Sequence, residues 1–158
     1  MVLADRDIER KAGRMITVDK EIIIQAPLEK IFNFVIKPSN LPQIWPSLIE
    51  IKDEQSLPNG RYSAKWVYKM AGIPFRGTSE VTDIIPNCWF TSKTWGAINS
   101  TITWTFRAKD GKTRVTVTTD YQVPVRGLNR LAEPVVVKMN EQEANLMLTN
   151  LRVKLEDN

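Results

Sequence analysis

The hydrophobic positions of this chain first follow a strand-like period and then a helical one. Residues 16–25 alternate between apolar and polar side chains, as a half-buried strand does. Pro27 fits the first position of a helix, and the apolar residues from 31 to 36 then recur at helical spacing. A second short helix is predicted over residues 41–45 and ends at Pro46.

A run of strand-like segments follows, and a long helix closes the chain. The predicted strands, each bounded by turn residues, cover residues 48–56, 61–71, 75–85, 89–95, 101–108 and 113–123. Asp110-Gly111 predicts a two-residue hairpin turn, because both positions tolerate positive φ. Pro134 starts or kinks a helix predicted over residues 135–155. This order predicts an α+β fold in which a curved antiparallel sheet wraps around the final helix and encloses a cavity.

Length and composition indicate one globular domain. A chain of 158 residues buries a substantial core, and we assign the domain to residues 15–158. Residues 1–14 are mostly charged and are predicted to be an extension outside the domain. Two interpretations of this extension stay open, a frayed or short helical segment and a small arm that docks on a partner.

The absence of histidine excludes several kinds of chemistry. It removes the commonest general base and the commonest metal ligand, and a single cysteine, Cys88, excludes an internal disulfide. The sequence therefore predicts no metal and no cofactor. The net charge of +4 comes from scattered basic residues, which argues against nucleic-acid binding but leaves transient contact with a membrane surface open. The charged N-terminus and the lack of a long apolar run predict a cytoplasmic protein.

Large side chains on the predicted strands share faces, because alternate residues of a strand point the same way. Trp66, Tyr68 and Met70 lie on one face of a strand, Trp104 and Phe106 share a face of another, and Tyr121 lies on the last. If these faces are concave, aromatic side chains line the cavity and bind a ligand. The alternative for each residue is that it simply fills the core.

The final helix carries polar residues within its apolar arc. Met139 and Met147 belong to that arc as flexible apolar lining, and Asn140 and Glu143 fall inside it. The two polar side chains either lie at a solvated cavity mouth or form hydrogen bonds with a ligand.

Two further residues are candidates for a gate at the mouth of the cavity. Trp45 lies between two prolines on the second short helix, and its alternative role is that of a packing anchor. Arg76 is predicted to reach into the mouth and pair with Glu143 or with an anionic ligand group, and a solvated surface arginine is the alternative.

The segments together resemble the START-like (SRPBCC) superfamily of helix-grip proteins, which includes polyketide cyclase-like and lipid-transfer proteins. The resemblance rests on the strand–proline–helix motif of residues 22–32, on residues 41–46 and 79–86, and on the end of the final helix at 150–156. It covers residues 16–156. It implies a curved sheet that grips the C-terminal helix, two short helices after the first strand, and a ligand cavity. It implies no single activity, because this fold hosts carriers, cyclases, hydroxylase subunits, receptors and stress-response activators.

Three functional hypotheses follow. The leading one is binding or transport of a small hydrophobic ligand, such as a lipid, an isoprenoid quinone or an aromatic polyketide, without a catalytic residue. The second is a polyketide cyclase or dehydratase-like enzyme in which Glu143, Tyr68 or Tyr121 moves a proton. The third is a protein-interaction or assembly module on a membrane complex.

Overall fold

The computed structural model describes residues 15–122 and 133–156. The strands in this part of the chain are β1 Met15–Ile24, β2 Leu48–Leu57, β3 Arg61–Met70, β4 Ile73–Ile85, β5 Trp89–Gly96, β6 Ser100–Lys109 and β7 Lys112–Gln122. The helices are α1 Leu28–Val35 and α2 Glu133–Glu156, together with 3-10 helices at Pro38–Gln43 and Pro58–Gly60. The predicted extension of residues 1–14 and the last residue of the predicted strand 113–123 lie outside the described residues.

The strands form one antiparallel sheet in the order β1-β7-β6-β5-β4-β3-β2. Every pair except β1 with β7 joins strands that are consecutive in the chain, as a run of hairpins requires. α1 and the 3-10 helix Pro38–Gln43 carry the chain from β1 at one edge to β2 at the other. The predicted α+β class and the curved sheet around a long final helix are confirmed.

The helix boundaries differ from the predictions in ways that proline explains. The second short helix, predicted over residues 41–45, is a 3-10 helix that begins at Pro38 and ends at Gln43. Proline is tolerated at a first helical position because that residue needs no N–H donor. Pro42, inside the same segment, favours the short 3-10 form over a regular α-helix. α2 begins at Glu133, so Pro134 lies in its first turn, where a proline N–H is not needed either.

The hairpin turns follow the residues that accept positive φ. Asp110 and Gly111 have φ values of 52° and 77°, so the predicted turn between β6 and β7 is confirmed. Ala71 and Gly72 form the turn between β3 and β4 with φ values of 51° and 78°. The strand predicted over residues 75–85 therefore starts two residues earlier, at Ile73, and includes Pro74. Pro74 is tolerated there because β4 pairs only with β3 before the β5 pairing begins at Gly77.

The core of the described residues divides into a larger cluster, a smaller one and a third that consists of Ile16, Val18 and Tyr121. In the larger cluster, α1 and the C-terminal half of α2 pack against the concave face, and Ile31 and Leu151 are fully buried there. Phe32 sits at its centre with its ring edge-on to Phe90 and Phe106, at centroid distances of 5.9 Å and 5.4 Å. The smaller cluster consists of Leu48, Trp66, Met70, Phe75 and Val136. The predicted buried stripe of α1, residues 31–36, is confirmed.

Candidate functional site

A cavity lies between the core clusters, under α2. The centre of a water molecule can occupy about 150 Å³ of it, roughly ten times the space that one buried water needs. Its lining is mostly apolar and comes from all three clusters, for example Val35 from the larger one, Leu48 from the smaller one and Val18 from the third. The room and the lining suit an organic molecule better than a few trapped waters.

Small side chains on the concave face leave this space open. Ala64, Ser79, Thr94 and Ser100 are direct cross-strand partners, one after another, from β3 to β6. Tyr121 on β7 continues the row as the partner of Ser100. The small side chains of Ser79, Thr94 and Ser100 line the cavity and form its floor, where large residues would fill a core. Tyr121, at the end of the row, is large enough to reach α2.

Polar groups collect on one wall of the cavity. Glu143 Oε1 accepts a hydrogen bond from the Ser47 backbone N–H at 2.7 Å, and Asn140 Nδ2 donates to the Tyr121 hydroxyl at 2.9 Å. Asn150 Nδ2, two turns beyond Glu143 on the same side of α2, donates to the Ile44 carbonyl at 3.0 Å. Two α2 side chains thus hold the segment that carries Trp45 against the cavity.

Burial strongly affects the acidity of Tyr68 in this wall. Burial first, and the nearby Glu143 carboxylate second, raise the pKa of Tyr68 from 10.0 to about 12. The Trp45 and Ser47 side chains act in the opposite direction. The Trp45 Nε1 group lies beside the hydroxyl without meeting the geometry of a full hydrogen bond, whereas the two rings make an edge-on contact at 5.7 Å. Tyr68 therefore stays a neutral hydrogen-bonding group at physiological pH.

We expect an absorbance titration to show Tyr68 ionising near pH 12, as the difference between the wild-type protein and Tyr68→Phe. The unfolded chain loses this proton near pH 10, so folding stability falls as the pH rises from about 10 to about 12. Glu143→Gln should lower the pKa of Tyr68, because the like charge is gone. An ionisation of Tyr68 near pH 10 in the folded wild type would show that its hydroxyl is solvated.

The structure brings most of the predicted site residues together. Those that line the cavity are Trp45, Trp66, Tyr68, Met70, Trp104, Tyr121, Asn140, Glu143 and Met147. Phe106 instead packs deep in the larger cluster, stacked beside Trp104 at a centroid distance of 6.4 Å. Met139 packs against the smaller cluster. Arg76 is exposed on the outer face of β4, because its neighbour Phe75 points inward, and it does not reach Glu143.

Sequence reasoning missed the polar floor of the cavity. Ser79, Ser92, Thr94, Ser100 and Thr119 all line it, and none was a predicted site residue. Strand parity carried the signal, since Ser92 and Thr94 share a face with Phe90, and Ser100 shares one with Trp104. Serine and threonine are equally common on solvated strand faces, so parity alone did not single them out.

Other kinds of site are not evident in the part of the chain that the structure describes. No group of three or more His, Cys, Asp or Glu side chains there is arranged to hold a metal ion. Neither described α-helix has the length and hydropathy needed to span a membrane.

The comparison with known families agrees with this architecture. The model of the family described as polyketide cyclase/dehydrase and lipid transport matches residues 15–156, nearly the whole chain. The chain belongs to this family. The resemblance to START-like proteins is thereby confirmed. A comparison with curated protein sequences gives no match.

Solved structures of several proteins share the helix-grip fold of this chain. The protein TTHA0849 of Thermus thermophilus has a TM-score of 0.71 at 21% identity, with 89% of this chain and 97% of that chain covered. A START superfamily protein of Mycobacterium smegmatis has a TM-score of 0.75 at 16% identity, with 89% and 97% covered. The Zhui aromatase/cyclase of a Streptomyces species has a TM-score of 0.73 at 14% identity, with 90% and 94% covered. At these identities the similarity establishes the fold alone.

Proposed function

We propose that this protein binds a small, largely apolar molecule in the cavity between the sheet and α2. The observation that carries the proposal is the cavity itself, with its apolar walls and with Tyr68, Asn140 and Glu143 on one side. Ligand sites in proteins commonly combine such walls with a few polar groups that orient the bound molecule. Trp45, Trp66, Met70, Trp104, Tyr121 and Met147 would contact the ligand body. The family description, which includes lipid transport, supports the same proposal.

The polar wall favours binding over proton transfer. A phenol whose pKa is about 12 is a poor general acid and a poor base near neutral pH, which weighs against Tyr68 as a proton shuttle. One carboxylate oxygen of Glu143 already accepts the Ser47 N–H, so this side chain has a structural role. Carriage of an unaltered ligand therefore accounts for the geometry better than a cyclase or dehydratase reaction does.

Filling the cavity should weaken ligand binding without unfolding the protein. Ser92 lines the cavity between its cross-strand partners Val81 and Ile102. We expect Ser92→Leu to weaken binding of the hydrophobic fluorophore phenylnaphthylamine by about tenfold or more, which corresponds to about 1.4 kcal/mol. The melting temperature should stay the same or rise, because a filled cavity gains apolar contacts. Fluorescence titration and thermal unfolding measure the two effects.

The matched control is Lys93→Leu, which adds the same side chain one residue later on the exposed outer face of β5. It should leave fluorophore affinity within about twofold of the wild type. Equal affinities for Ser92→Leu and Lys93→Leu would mean that the fluorophore binds outside the cavity, and the proposed function would then lose its main support. Native mass spectrometry of protein purified from its own host complements this test. An intact ligand would support a carrier, and a precursor together with its cyclised product would support an enzyme.

A further inference from the structure

The indole N–H of Trp66 stands out among the polar groups of the cavity. Trp66 lines the cavity and is only 6% exposed. Its Nε1 atom is buried, and within residues 15–122 and 133–156 it has no hydrogen-bond acceptor. Trp104 also lines the cavity and is 2% exposed, yet its Nε1 is not among the buried side-chain atoms that lack a hydrogen-bond partner. Trp45 Nε1 is also buried without a full hydrogen bond, but it lies beside the Tyr68 hydroxyl. The missing acceptor is therefore a property of particular positions and not of every cavity tryptophan.

The sheet fixes the Trp66 ring in place. Trp66 is the direct cross-strand partner of Gly77 on β4. The absence of a side chain at Gly77 lets the indole lie across that position, and Cε2, the ring carbon bonded to Nε1, lies 2.8 Å from where a Cβ atom would be. The other buried members of its cluster are Leu48, Met70, Phe75 and Val136, whose side chains carry no oxygen acceptor. The ring is thus held where its own neighbours leave the N–H unsatisfied.

Buried N–H groups in folded proteins almost always have an acceptor, and leaving one unpaired costs stability. Trp66 lines the cavity, and this cavity has room for another molecule beside the ring. An acceptor supplied from that space removes the cost. A ligand made only of hydrocarbon does not supply one.

We infer that the Trp66 indole N–H donates a hydrogen bond to an oxygen of the bound molecule, so that the ligand carries a carbonyl-type acceptor on its apolar body. This inference rests on the proposed function and adds to it the chemical class of the ligand. Trp66 selects acceptor-bearing ligands over hydrocarbons of the same shape. Glu143 has a different role, because a carboxylate accepts hydrogen bonds and does not donate them to a carbonyl.

The test compares fluorenone with fluorene, two rigid aromatic molecules of almost the same shape that differ by one carbonyl group. Calorimetric titration of the wild type should give an affinity for fluorenone about 3- to 10-fold higher than for fluorene, the range expected for one net hydrogen bond. In Trp66→Phe, which keeps an aromatic ring and removes the N–H, the two affinities should become equal through loss of fluorenone affinity alone. Trp95→Phe makes the same change at an exposed tryptophan of β5 that is not among the lining residues, and as the matched control it should keep the preference for fluorenone.

The hydrogen bond can also be observed directly in the wild-type protein, without measuring the affinity of any variant. In a nitrogen–proton correlation spectrum, the Trp66 indole cross-peak, assigned by its absence in Trp66→Phe, should shift downfield with fluorenone and much less with fluorene. Equal wild-type affinities for both molecules and an unmoved Trp66 cross-peak would overturn the inference and leave the proposed function standing. Failure of both molecules to bind would contradict the proposed function itself, and the inference would fall with it.

Discussion

Replacing Phe32 with alanine should lower the free energy of unfolding by about 3–5 kcal/mol, the usual cost of truncating a buried phenylalanine. Phe32 is 4% exposed and makes edge-on contacts with Phe90 and Phe106, which join α1 to the sheet. Truncation leaves a cavity that the surrounding strands fill only in part. Urea-induced unfolding followed by circular dichroism measures the loss.

Phe34→Ala is the matched control on the same helix. Phe34 is half-buried, packs at the margin of the larger cluster, and lies under the Lys154 ammonium group at 5.9 Å from the ring centroid. Its truncation removes less buried surface and should cost less than half as much as that of Phe32. Similar losses for the two variants would show that α1 does not present its Phe32 face to the sheet.

Adding a single methyl group at Gly77 should destabilise the protein by about 1–3 kcal/mol and displace Trp66. The Cβ atom of Gly77→Ala would overlap the Cζ2 atom of Trp66 and the backbone oxygen of Trp95. The indole ring can tilt away, but the Trp95 oxygen belongs to the backbone of the paired strand β5 and cannot move without disturbing the sheet. Denaturant unfolding gives the loss of stability, and near-ultraviolet circular dichroism reports the changed environment of Trp66.

Ser79→Ala, two residues further along β4, is the control for this substitution. Its hydroxyl makes only a long contact of 3.5 Å to the Ala64 carbonyl, so its removal should change stability by less than about 1 kcal/mol. A Gly77→Ala variant as stable as Ser79→Ala would mean that Trp66 does not lie across Gly77. The Trp66 inference above uses the same geometry, so this comparison also tests the position of its donor.

Much of the fold could be predicted because its signals are local. Alternation along β3 and β7, the positive-φ pair Asp110-Gly111, and the helical period after Pro134 are each set by residues close together in the chain. A run of hairpins pairs neighbours in sequence, so the sheet order from β2 to β7 followed from the same local pattern. Strand parity also grouped Trp66, Tyr68 and Met70 correctly on the cavity side.

The predictions that missed depended on relations between distant residues. Parity placed Phe106 on the inner face but did not reveal that α1 covers it there, with Phe32 packed edge-on against its ring. The predicted pairing of Arg76 with Glu143 required knowing which face of β4 turns outward, and the burial of the neighbouring Phe75 decides that. Met139 lies on the predicted arc of α2, but its packing against the smaller cluster depends on how the helix crosses the sheet.

Local sequence patterns were enough to predict the elements, their order and the inward faces of the strands, because backbone preferences and side-chain periods act over a few residues. The assembled sheet was needed to show that Ser79, Thr94 and Ser100 stand side by side as the floor of the cavity. The tertiary structure alone decided that Glu143 accepts the Ser47 N–H, 96 residues away in the chain, and that the Trp66 N–H is left without an acceptor. Each of these depends on strand register and on the path of α2, which many weak contacts fix jointly and no short segment encodes.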